Sequence, residues 1–265
     1  IVDDCSCDNT IDIIKRYSAS KNNIHLIQMD INSGPGVARD KGLEIAKGDY
    51  TIFFDSDDMM RPRAVDNAIK HLEENNLSVA IMRYAINFGA NGKDIGMWER
   101  DSEIYNEAKE RYGSIIDVYQ YPRFISVTNY PWTKICRTDF LRNNNIQFGS
   151  LRLHEDIIPH WMIIMNAEKI YLSDDIVCDY MLDVNGQNVT NNNTSLRLQC
   201  ITASESLYEI LSGNIQYTPF LKEYWPFLAC LLEWAISIIN DNDKSTLQNL
   251  AQGMFRRLSF EELTN

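Results

Sequence analysis

The chain opens on an apolar pair, Ile1-Val2, that runs straight into Asp3-Asp4, the pattern of a strand ending in a polar loop. Asp8-Asn9-Thr10 supplies N-cap chemistry ahead of Ile11, Ile13, Ile14 and Tyr17, so a short helix is expected there. Residues 24–27 are a brief apolar run, read as a strand. Ser33-Gly34-Pro35-Gly36 opens a segment with Val37, Leu43, Ile45 and Ala46 near helical spacing, with Gly48 as the expected C-cap. Residues 50–54 are aromatic and β-branched, as in a buried strand. Pro62 marks the start of a helix carrying Val65, Ala68, Ile69 and Leu72, and residues 79–88 read as another strand. Such alternation predicts right-handed crossovers and an α/β, mostly parallel sheet with helices on both faces. Because the chain starts on a strand end, a preceding strand–helix unit of roughly 30 residues is expected to be missing.

After residue 90 the rhythm changes. Residues 91–113 are polar and charge-rich, read as a mobile loop; 125–136 contain strand-like pieces; 138–145 and 154–166 read as short helices, and 176–182 as a strand. Residues 185–194 are Asn-rich and include Gly186, which suits a loop acting as an active-site lid. From residue 195 onward the pattern is helical, over 196–211, 220–240 and 244–258. The expected division is an α/β region over 1–190 and a helical region over 191–265. Phe220, Leu221, Tyr224, Phe227, Leu228, Leu231, Leu232, Ala235 and Ile239 form a stripe at helical spacing, read as a seam against the α/β region. A homodimer face, or a face peripheral to a membrane, is the alternative use of that stripe.

Composition narrows the function. With 45% hydrophobic and 23% charged residues the chain is globular. Its net charge of −12, with no basic run longer than Arg256-Arg257, argues against nucleic-acid binding. A small partner, or an anionic one bridged by a metal, fits better. Six cysteines include one C-x-C, Cys5 and Cys7, without the second pair a structural zinc site needs. Free thiols in a reducing cytoplasm are expected, and the sequons at Asn188 and Asn192 are read as chance matches. The most apolar stretch, 225–239, is broken by Glu233 and falls short of the roughly 20 residues of a membrane span.

Four clusters carry candidate chemistry: Asp3-Asp4-Cys5-Ser6, Asn32 through Arg39, Asp55-Ser56-Asp57-Asp58, and His154-Glu155-Asp156. Ligands of open α/β sheets bind outside the carboxyl ends of strands, where these clusters are expected. Three carboxylates in four residues repel one another unless a cation is present, and Mg²⁺ or Mn²⁺ with a diphosphate is the usual partner of such oxygens. The turn at Gly34 faces a helix N-terminus toward an anion, although no Walker A or G-x-G-x-x-G pattern is present. Glu155-Asp156 fits either first-turn helix acids or a carboxylate general base. His71 and His160 are read as surface or core histidines, with a minor pocket role open for His160, one helical turn beyond Asp156.

In this order and spacing the clusters resemble the inverting, GT-A-fold nucleotide-sugar glycosyltransferases of family 2. Val2-Asp3-Asp4, Asn32-x-Gly34 with Ala38-Arg39, residues 46–50 leading into Asp55-x-Asp57, Trp132-x-Lys134 and Glu155-Asp156 carry the likeness, which covers about residues 1–190. The resemblance implies that Asp3 or Asp4 contacts the base or ribose, and that Gly34, Arg39 and Ser56 lie against the nucleotide. It also implies that Asp57, with Asp55, holds Mn²⁺ or Mg²⁺, and that Trp132 and Lys134 line the sugar or diphosphate pocket. Asp156, or else Glu155, is the implied base. The implied donor is a UDP-sugar and the acceptor a glycan or lipid-linked hydroxyl, in surface polysaccharide synthesis at the inner face of the membrane. Three departures stand out: Asp40 replaces the family's Asn, Met181 replaces an Arg after Tyr180, and the family's first strand is expected to be missing. A sugar-phosphate nucleotidyltransferase and a non-catalytic nucleotide- or glycan-binding module are the alternatives.

Overall fold

A computed structural model describes residues 1–88, 95–182 and 191–258. The chain begins β1 (Val2–Asp3), α1 (Thr10–Ser18), β2 (Ile27–Gln28), α2 (Pro35–Ile45), β3 (Tyr50–Ile52) and β4 (Met59–Met60). It continues α3 (Ala64–Asn75), β5 (Val79–Asn87), α4 (Glu99–Tyr112), β6 (Ile115–Asp117), β7 (Lys134–Arg137) and α5 (Thr138–Asn143). Then follow α6 (Ile157–Ala167), β8 (Lys169–Met181), α7 (Gln199–Gly213), α8 (Thr218–Ile238) and α9 (Asp241–Phe255).

The α/β class and helical C-terminal region stand as expected, but the large sheet is mixed rather than mostly parallel. Its order is β3-β7-β5-β8-β4, with β6 also on β8. Only β5 and β8 pair in parallel there, at the centre of the sheet; the other ladders are antiparallel. The reason lies in β7. It is fed by two 3-10 turns, Pro122–Ser126 and Pro131–Thr133, instead of a crossover helix, and enters antiparallel between β3 and β5. Of the strand pieces expected over 125–136 only the last forms, as β7; before it the 3-10 turns stand instead, and Pro131 has no N–H to give a ladder. β1 and β2 form a separate parallel pair, Val2 opposite Ile27 and Asp3 opposite Gln28.

Two further expectations fail for physical reasons. Much of the supposed loop over 91–113 is α4, whose Ile104, Tyr105 and Ala108 are fully buried together with Asp101, which accepts from the Tyr84 hydroxyl, while most of its other charged residues face outward. Its Glu99 and Asp101 lie in the first turn and Lys109 and Arg111 in the last, matching the helix dipole. Helix α2 stops at Ala46, where ψ turns to 132°, and not at Gly48. β8 also starts earlier than 176. Register against β5 jumps from Ile81–Leu172 to Arg83–Ile176, so a bulge absorbs Ser173, Asp174 and Asp175 and lets the strand continue through two acids. Residues 183–190 of the expected lid lie outside the described residues.

One apolar core runs from the sheet into the C-terminal helices. Trp161 of α6 meets Phe227 and Tyr224 of α8 edge-on, with ring centroids 5.4 Å and 6.4 Å apart. Phe220, Tyr224, Phe227, Leu228, Leu232 and Ala235 are buried, so the stripe is spent inside the chain as a seam. Among the described residues no helix is long and apolar enough to cross a membrane.

Candidate active site

The first two clusters are physically one. Asp4, just past β1, accepts hydrogen bonds from the backbone N–H groups of Ser33 and Gly34, both at 2.7 Å. Asn32 returns a side-chain bond to the Asp4 carbonyl at 3.0 Å. Both Asp4 oxygens are therefore engaged in holding the loop before α2. Asp3 is buried and accepts from the Ser6 N–H at 3.1 Å. Gly34 sits at φ +96°, a conformation that side chains resist. Arg152 spans the same loop, its guanidinium 2.5 Å from Asn32 Oδ1 and 2.6 Å from Asn32 O.

Helix α2 then presses its first turn against residues 149 and 155. A Cβ on Gly36 would lie 2.4 Å from the Gly149 carbonyl oxygen and 3.2 Å from the Glu155 side chain. One turn on, Arg39 reaches the site's centre. Its Nη2 donates to Asp55 Oδ1 at 2.6 Å and its Nη1 to Glu155 Oε1 at 2.7 Å, with the guanidinium over the Phe148 ring. Asp40 accepts from the N–H groups of Phe148 and Gly149, each at 2.8 Å. An Asn there has one acceptor oxygen where Asp has two, which accounts physically for the departure noted in the sequence.

Beyond β3, the acidic turn divides its labour. Asp55 is committed to Arg39. Asp58 accepts from the Met181 N–H at 2.9 Å, tying the turn to the end of β8. Burial, then the charges of Asp57 and Asp55, push the Asp58 carboxyl up to about 6. Ser56 and Asp57 are exposed at the rim. The groups that would be open to a divalent cation there are the Asp57 carboxylate and the Asp55 oxygen that Arg39 does not engage. Among the described residues no preformed group of three or more His, Cys, Asp or Glu ligands exists. One or two carboxylates completed by substrate phosphates is the coordination Mg²⁺ prefers, so the donor set fits.

Asp156 is the N-cap residue of α6, adjacent to Glu155. Desolvation first, and the neighbouring Glu155 charge second, raise its carboxyl to about 7 against the opposing pull of Arg39 and Lys134. The turn that carries Asp57 and the turn that carries Asp156 meet here, because Asp55 and Glu155 share the Arg39 guanidinium.

Trp132 and Lys134 are placed otherwise than expected. Trp132 is 1% exposed, stacked on Tyr130 at 4.6 Å with Tyr84 and Tyr180 around it, and presents no surface to a ligand. Lys134 is 3% exposed and donates to Tyr130 O, Thr133 Oγ1 and Asn129 O at 2.7, 3.2 and 3.3 Å. It acts on the site as a buried charge facing Asp156, not as a phosphate clamp. Sequence reasoning missed Gly149 and Arg152 and did not foresee the contacts of Asp40 and Phe148, which join the site across more than a hundred residues of chain.

Residues 1–130 match the sequence model of the Glycosyl transferase family 2. The Poly(ribitol-phosphate) beta-N-acetylglucosaminyltransferase TarS of Staphylococcus aureus strain MW2 is 28% identical over 213 residues, 80% of this chain and 33% of that protein. The Putative teichuronic acid biosynthesis glycosyltransferase TuaG of Bacillus subtilis strain 168 is 37% identical over 86 residues, 32% of this chain and 34% of that protein. The chain thus spans about a third of the length of these relatives. In fold, the crystal structure of S. aureus TarS 1-349 superposes with a TM-score of 0.57 at 21% identity, covering 97% of this chain and 81% of that one. By the sequence pattern of its first 130 residues and by a fold shared over nearly its full length, the chain is glycosyltransferase family 2-like, of the GT-A type.

Proposed function

We propose that the chain transfers a sugar from a nucleotide-diphosphate donor, a UDP-sugar, to a hydroxyl of a glycan or lipid-linked acceptor with inversion, in surface polysaccharide synthesis. The observation that carries this reading is Arg39, held between Asp55 and Glu155, which couples the acidic turn to the Asp156 turn. The names of relatives support the substrate class: TarS, a Poly(ribitol-phosphate) beta-glucosyltransferase of Bacillus spizizenii, and a TarS structure in complex with UDP-GlcNAc. In this reading residues 1–190 form the catalytic domain and 191–265 a helical buttress.

Asp3 and the loop fixed by Asp4 receive the base and ribose, and the N–H groups at the start of α2 face the donor's negative charge. Asp57, with Asp55, would hold Mg²⁺ or Mn²⁺. Bound there, the cation supplies Lewis-acid stabilisation of the departing diphosphate. Asp156 takes the proton from the acceptor hydroxyl as that oxygen attacks the anomeric carbon. The C–O bond to the diphosphate breaks on the opposite face, so the configuration inverts. A base poised near neutral pH suits this task, and such assistance typically contributes about 10²–10⁴-fold.

The test is a transfer assay with UDP-sugars, Mn²⁺ and candidate acceptors. It should release UDP, and Asp156→Asn should lower turnover by at least about 10²-fold while donor binding survives. Formation of a nucleotide-sugar from sugar phosphate and triphosphate, or normal turnover by Asp156→Asn, would refute the reading.

A further inference from the structure

Beside Asp156 lies a cavity of about 10 Å³, lined by Lys134, Asp156, His160 and Asn129 together with apolar side chains such as Phe53 and Ile163. That volume holds about one water molecule. His160 is 1% exposed, and its Nε2 lies 2.9 Å from the Ile125 carbonyl oxygen. A carbonyl only accepts, so Nε2 carries the proton. Burial and the Lys134 charge hold the ring well below its usual titration range, so it stays neutral and Nδ1 keeps a lone pair. Among the described residues that buried Nδ1 has no hydrogen-bond partner. A buried acceptor left unmatched is costly, and a site with polar partners and room for one water is where an ordered water belongs.

We infer that this cavity is a structural water site, and that His160 is a positioning residue whose Nδ1 accepts from a water that donates its other proton to the Asp156 carboxylate. The Asn129 side-chain amide can donate to the water oxygen. The water then fixes which Asp156 oxygen is left for the acceptor proton, and it favours the ionised form. The other charges facing Asp156 are Glu155 beside it, Arg39 from α2 and Lys134 from β7. None of them occupies the Nδ1 position. This inference rests on the reading of Asp156 as base, but the water site itself does not.

Three variants separate the roles of the two ring nitrogens. Asn at 160 keeps an acceptor near the Nδ1 position, Gln keeps a polar group near the Nε2 position, and Phe keeps neither. With UDP-sugar and Mn²⁺, His160→Gln and His160→Phe should move the acid limb of the kcat/KM–pH profile upward by roughly 0.5–1 pH unit, the size of one hydrogen bond's effect. Donor Kd should not change, and His160→Asn should leave the limb near its original position. A crystal structure of the unmodified chain should show one water between His160 Nδ1 and Asp156. Either a dry cavity, or a limb displaced in His160→Asn but not in His160→Gln, overturns the inference and leaves His160 as an anchor for Ile125. Should Asp156→Asn turn over normally, the base reading fails while the crystallographic arm still decides the water site.

Discussion

Arg39→Ala removes a cation that Asp55 and Glu155 share. Its side chain is 14% exposed, Glu155 is 11% exposed and Asp55 33%. Breaking a buried pair from one side typically costs about 3–5 kcal/mol, because the remaining charge has lost its partner. Solvent at Asp55 screens part of that loss, so about 2–3 kcal/mol is expected here. For a chain of this size that lowers Tm by roughly 4–12 °C. The same change acts on chemistry. Arg39 is one of the two cations opposing the upward shift of Asp156, so its loss raises that carboxyl further above about 7. A base must be unprotonated to act, and the acid limb of kcat/KM therefore moves to higher pH. Turnover should fall steeply at pH 7 and recover partly at pH 9. Arg39→Lys keeps charge but cannot fork to two carboxylates, and should fall between the two. A pH-rate profile whose acid limb stays in place in Arg39→Ala, with protein still folded, would refute the electrostatic coupling.

Other consequences can be checked separately. Gly36→Ala sets a Cβ 2.4 Å from the Gly149 carbonyl, a backbone atom that cannot swing aside, so about 1–3 kcal/mol should be lost in a denaturant melt, with turnover falling as Glu155 is displaced. Asp156 has a folded pKa raised above its unfolded value, so the native state binds the extra proton and stability declines as pH rises from about 4 through about 7. Asp156→Asn should accordingly melt higher than the parent chain above pH 7, with the gap closing toward pH 4; a constant gap in thermal melts across that range contradicts this. Asp57→Ala should abolish Mn²⁺-dependent donor binding in calorimetry while leaving Tm nearly unchanged, because Asp57 is exposed.

The strand exits were legible to within a few residues because acids follow apolar runs directly: Val2 into Asp3, the last residue of β1, and Phe54 into Asp55, shortly after β3 ends at Ile52. Hydrophobic periodicity likewise located α1, α3, α6 and the C-terminal helices. It failed at α4, where Ile104, Tyr105, Ala108 and Tyr112 stand among mostly charged and polar residues, so local polarity hid a real buried face. Sheet direction was also hidden, since no periodicity records that β7 arrives from 3-10 turns. Within the site, sequence reasoning identified the acids but not their engagements. That Asp4 is consumed by the Ser33–Gly34 turn, or that Lys134 satisfies itself on the carbonyls of 129 and 130, depends on tertiary contacts. Trp132 could not be told from a ligand-stacking residue until Tyr130 was found lying over it.

The meeting of Trp161 with Tyr224 and Phe227 bears on engineering. Asp156 is the N-cap residue of the helix that carries Trp161, so the carboxylate proposed as base is mechanically tied to the C-terminal layer. A chimera that exchanges only residues beyond 195 with those of a relative would mismatch that joint and tilt the base. Grafts meant to alter acceptor choice should therefore carry α6 along with its helical partners.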